Sequence, residues 1–136
     1  MNLTACKLKQ YIAAMLKKRG VPLTPEQFIL IDLLWNFGAT SQQKLADMMQ
    51  KDKDSVTKLV DAIERKGFVV RQQSSLDRRS NIIFLTEKAE LLKSSAKQNG
   101  IYILDRMLDG ISEEELRDFL STLSKLNHNM SVSEQE

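Results

Sequence analysis

The chain has 136 residues, 42% of them hydrophobic and 28% charged, with a formal net charge of +2. That apolar content supports one folded core and excludes a wholly disordered chain, and no apolar run reaches the length that a membrane-crossing helix needs. The charge is uneven: from Lys51 to Lys88 nine bases stand against six acids, and from Ala89 to Glu136 five bases stand against nine acids.

Leu8, Tyr11, Ile12 and Met15 recur at helical spacing and predict a first helix, closed by Gly20 and Pro22. Thr24-Pro25-Glu26-Gln27 reads as a helix start, with Thr24 as cap, Pro25 in the first turn and Gln27 completing a capping box. The helix that follows, Phe28 to Phe37, is apolar on nearly every side and contains Trp35, so it is expected at the centre of the core, buried all round. Gly38 ends it. Thr40 and Gln43 predict another capped helix, to about Met49. Asp52 then caps a helix through Lys66, with Val56, Leu59, Val60 and Ile63 on its inner stripe and Gly67 as its stop. Two short helices with a brief polar join, the second amphipathic, form a helix-turn-helix pattern.

The period then changes. Residues 68–71 and 81–85 are β-branched and aromatic and read as paired strands. The polar link Gln72 to Ser80 is longer than the usual hairpin loop of about 2–5 residues and reads as a wing. Thr86 caps a helix to about Leu108, Gly110 stops it, and Ser112 starts a leucine-striped helix to roughly Asn127, after which Ser131 to Glu136 are expected to fray. The fold class expected is mainly α with a small β-hairpin. A middle module this short leaves the amphipathic terminal helices uncovered, so their stripes are expected to pack against a second copy.

These segments in this order resemble the MarR family (multiple antibiotic resistance regulators). The matching stretches are Leu23 to Phe28, Lys44 to Asp47, Asp52 to Asp61, Glu64 to Val69 with Arg71, Asp77 to Ser80, and Leu85 to Glu87. The resemblance implies one domain over 1–136, with a winged helix-turn-helix core at about 24–88 and dimerisation helices at about 3–20 and 87–128. It also implies a homodimer that places one recognition helix per subunit on a palindromic double-stranded DNA operator. Many members are repressors released by small phenolic or other lipophilic effectors. The chain departs from the common pattern at Asp54, at Ala89 and across Gln72 to Leu76.

On the helix from Asp52, the outward N-terminal face carries Lys53, Asp54, Ser55, Thr57 and Lys58. Recognition helices present such positions to bases and phosphates; an ordinary solvated charged face is the plainer alternative. At the wing, Asp77 is expected to pair with Arg79 and extend it toward a minor groove, with Arg78 on the backbone. Arg71 is either a phosphate clamp or a structural ion pair. A ligand pocket between the module and the terminal helices would draw on Tyr11, Met15, Trp35, Tyr102 and Met107, which are otherwise plain core. Cys6 is either a redox sensor or a small hydrophobe. A lone cysteine and an N-terminus without a signal-peptide core point to the cytoplasm. No catalytic constellation, metal-ligand spacing or cofactor motif stands out, so neither an enzyme nor a cofactor is expected; a winged module for protein docking is the competing class.

Overall fold

The computed structural model describes residues 2–77 and 79–133. It divides into two compact units, 1–103 and 104–136. Six helices accompany three strands: α1 (Asn2–Lys18), α2 (Pro25–Phe37), β1 (Thr40–Ser41), α3 (Gln42–Met49), α4 (Lys53–Arg65), β2 (Val69–Gln73), β3 (Asn81–Leu85), α5 (Glu87–Met107) and α6 (Glu113–Ser133). The fold is therefore mainly helical with a small antiparallel sheet, as the periodicity implies.

Local chemistry sets most of these boundaries. Thr24 and Gln27 form the reciprocal capping box ahead of α2, with Pro25 in its first turn. The Gln27 side chain is buried and accepts a second bond, from Lys66 Nζ at 2.7 Å, which ties the end of α4 to the start of α2. Thr86 Oγ1 accepts from the Ala89 amide at the start of α5 and donates to the Gly67 carbonyl at 2.6 Å. Ser112 Oγ accepts from the Glu115 amide at 3.0 Å.

The core of the first unit gathers Leu30, Ile31 and Leu34 from α2, Leu45 from α3, Val56, Val60 and Ile63 from α4, then Phe68, Val69 and Ile83, all essentially inaccessible. Helix α2 crosses α5 closely. Phe28 lies against Gly100, where an added Cβ would stand 3.1 Å from its ring, and Trp35 Nε1 donates to the Ala89 carbonyl at 3.2 Å.

Four expectations change. The cap of α3 is Ser41, whose hydroxyl accepts from the Lys44 amide, because Thr40 is drawn into a third strand against Ile83. The sheet thus has the order β1-β3-β2 rather than a lone hairpin. Strand β2 runs on to Gln73, which shortens the wing loop. Helix α2 is not buried all round, since Ile29 and Phe37 are 52% and 69% exposed in the protomer. Finally, α6 continues to Ser133, past the end expected near Asn127; the expected fraying of 134–136 lies outside the described residues.

Candidate nucleic-acid interface

Helices α3 and α4 meet through a three-residue turn. Gln50 adopts the left-handed conformation (φ 53°, ψ 44°), and its amide and that of Lys51 close the end of α3 on the Ala46 carbonyl. Asp52 then caps α4, its carboxylate accepting from the Ser55 amide at 3.2 Å. Ser55, through its side chain and then its amide, holds the Asp52 carboxyl below its ordinary range. With Val56, Val60 and Ile63 buried, the opposite face of α4 points to water. Lys53, Asp54 and Lys58 are exposed on it, while Ser55 and Thr57 are half-buried. Asp54 makes no ion pair among the described residues.

Thr57 has a second task. Its hydroxyl donates to the Lys53 carbonyl at 2.9 Å and accepts from Gln42 Nε2 at 2.6 Å, locking α3 to α4 at the rim of the exposed face. Its side chain therefore braces the helix pair.

Arg71 sits on β2, and its guanidinium turns into the protein. It pairs with Asp61, approaches Glu64 at 3.6 Å and donates to the Thr57 carbonyl at 3.2 Å, while the Arg71 amide donates to Glu64 Oε2. The arginine fastens the wing strand to α4. Of the two roles open to it, the geometry fits the structural ion pair rather than a clamp aimed outward.

The wing closes through Ser74 N–H to the Ser80 carbonyl at 2.8 Å and Ser80 N–H to the Asp77 carbonyl at 3.1 Å. Asp77 does not brace the Arg79 guanidinium as expected. Its carboxylate accepts from the Arg79 backbone amide at 2.9 Å, which shapes the turn and leaves the arginine side chain exposed. No ion pair among the described residues holds that guanidinium. Arg78 lies outside the described residues.

A helix-turn-helix whose second helix bares lysines, followed by a hairpin with an arginine near its tip, is the arrangement of a winged DNA reader. Residues 23–81 match the model of the MarR family. The winged segment is a MarR-family domain.

Solved structures share the MarR-type fold well beyond that segment. A MarR transcriptional regulator from Methanosarcina mazei Go1 is 24% identical, covers 89% of this chain and 86% of its own, and superposes with a TM-score of 0.73. MepR of S. aureus, solved in complex with DNA, is 22% identical over 94% and 93% of the two chains, with a TM-score of 0.82. The organohalide-sensing regulator RdhR-CbdbA1625, solved with 2,4-dichlorophenol bound, is 23% identical over 94% and 76%, also with a TM-score of 0.82.

The suggested pocket residues of this MarR-type chain do not converge. Trp35 is buried against Ala89, whereas Tyr102 lies 13 residues further along α5, about 20 Å at the helical rise. Tyr102 is partly exposed, with the Arg19 guanidinium 3.7 Å above its ring, and Arg19 also donates to Asn99. Tyr11 is exposed and Met15 half-buried on α1; Met107 belongs to the other unit. Cys6 is exposed near the start of α1. The signals that sequence reasoning passed over are Gln42, Asp61 and Glu64. The two acids lie one helical turn apart, facing the next strand, and that spacing hints at a shared basic partner.

Proposed function

We propose that this protein is a sequence-specific regulator of transcription that binds double-stranded DNA as a homodimer. The observation that carries the reading is the exposed face of α4, with Lys53 and Lys58, presented together with the free Arg79 of the wing on one rigid module. Lysines at the start of a recognition helix reach phosphates and guanine edges in the major groove. An arginine on a wing finds the concentrated negative potential of a narrow minor groove. Arg71 serves indirectly, by holding the wing at a set angle to α4. The DNA complex of MepR, of the same fold, supports the assignment.

The dimer follows from what the protomer leaves bare. Phe119, Leu120, Leu123, Leu126 and Met130 on α6 are 43–61% exposed, and Leu8 and Tyr11 on α1 are exposed too. Pairing the terminal helices of two copies covers these faces and sets the recognition helices about one DNA turn, roughly 34 Å, apart on a pseudo-palindrome. In this reading 24–88 is the DNA-reading core and the helices on either side are the dimerisation arms. The protein acts as a repressor, released by a small lipophilic or phenolic effector; the dichlorophenol-bound neighbour favours that chemistry.

Selecting bound duplexes from a random pool tests the assignment. Enrichment of one inverted repeat is expected, with an affinity that falls steeply with salt. A protein that enriches no sequence and elutes from heparin without a steep salt dependence is a docking module instead.

A further inference from the structure

From Arg71 to Asn81 every residue is polar or charged except Leu76. Leu76 is also 96% exposed, more than any other large hydrophobic side chain among the described residues. Solitary apolar residues are common on protein surfaces. This one is different in its place, at the apex of an arm that otherwise carries only glutamine, serine and charge.

The backbone on both sides of it is held. The Leu76 amide donates to Ser74 Oγ at 3.2 Å, Ser74 and Ser80 close the loop behind it, and Asp77 fixes the Arg79 amide just ahead. The leucine side chain is thus offered outward by a built turn, three residues from the free Arg79 guanidinium. With so little of it covered, its contribution to the folded core is negligible.

We propose that Leu76 is an apolar wedge that enters the minor groove of double-stranded DNA beside Arg79. The inference rests on the DNA-binding reading above. Attraction of the arginine to the groove brings the leucine against sugar C–H groups and base edges, where its surface leaves water. Apolar side chains set among basic ones are a recurrent means of unstacking a base step and bending the duplex. The wing then contributes two separable parts to affinity: one from Arg79 that salt screens, and one from Leu76 that salt leaves untouched.

The test uses the full chain and a duplex that it selects from a random pool, followed by fluorescence anisotropy over a salt series. Leu76→Ser should weaken binding about tenfold at every salt concentration, with the salt slope and the thermal midpoint of the free protein unchanged. Leu76→Met should stay within about twofold. Energy transfer between dyes at the duplex ends should report a straighter duplex with Leu76→Ser.

At base pairs that the wing protects from hydroxyl radicals, A·T→G·C places an amino group in the minor groove. That exchange should weaken the wild type, I·C should restore it, and Leu76→Ser should be indifferent to both. Salt-steep binding and bending that Leu76→Ser leaves intact overturn the wedge alone and make Leu76 a contact for another protein. Wild-type protein with no salt-steep duplex binding overturns the DNA reading and the wedge together.

Discussion

Replacing Arg71 by methionine separates a strut from a phosphate clamp. The substitution keeps the length of the side chain and removes the guanidinium that joins β2 to Asp61, Glu64 and the Thr57 carbonyl. Breaking a buried ion pair costs about 3–5 kcal/mol because a charge is stranded, but that case does not apply. The Asp61 and Glu64 side chains are 42% and 39% exposed, so both return to water once the arginine is gone. Each contact at that exposure contributes about 0–1 kcal/mol, and the bond to the carbonyl about 1 kcal/mol. Against these stands Arg71 Nε, which is buried without a partner and whose removal recovers part of the loss. The net destabilisation expected is about 1–2 kcal/mol, read from urea unfolding midpoints at neutral pH. Operator affinity should also fall, since the wing loses its angle to α4, while the slope of log K against log salt stays as in the wild type. A slope shallower by about 0.9, the signature of one lost phosphate contact, refutes the strut.

The directly exposed cations should behave in the opposite way. Arg79→Ala should weaken operator binding strongly with little change in the unfolding midpoint, and Lys53→Ala and Lys58→Ala should each lower the salt slope by about 0.9 if each neutralises one phosphate; anisotropy over a salt series measures all three. Asp52 has its folded-state pKa depressed by Ser55, so its capping contribution is present above the unfolded value of about 3.9 and is lost as pH falls through the lower folded value. The gap in urea midpoint between wild type and Asp52→Asn should accordingly be open at pH 6 and close under strong acid. Ile63→Ala, at a fully buried position on α4, should cost about 2–5 kcal/mol by chemical denaturation. Gly67→Ala places a side chain at φ +85° between α4 and β2, and a loss of about 1 kcal/mol or more is expected on the same measurement.

Much of this architecture is legible residue by residue because its determinants are local. A hydroxyl or carboxylate followed three residues on by the amide that it caps is a feature of four consecutive positions, and Thr24, Asp52, Thr86 and Ser112 all act as their surroundings imply. Thr40 fails for a non-local reason. Two adjacent hydroxyl residues can both cap α3, and pairing with Ile83, 43 positions away, takes Thr40 for the sheet and leaves Ser41 to cap. The exposure of Ile29 and Phe37 has the same origin, since an all-apolar helix specifies that its faces need cover but not which element supplies it.

The interface divides along the same line. Lys53, Asp54 and Lys58 follow from the helical period once Val56, Val60 and Ile63 are placed inward. Arg71 does not, because its partners Asp61 and Glu64 reach it only after β2 folds back on α4. Asp77 shows that even a two-residue neighbourhood can mislead: a carboxylate beside an arginine invites an ion pair, yet in a tight turn the nearer donor is the Arg79 amide. That choice has a functional consequence. A carboxylate spent on the backbone stiffens the loop without neutralising the guanidinium, so the wing holds its shape while keeping its full positive charge for a phosphate-lined groove. Rigidity and charge thus come from different atoms of the same two residues, and substituting Asp77 by asparagine, which can still accept from that amide, should preserve the turn where alanine would not.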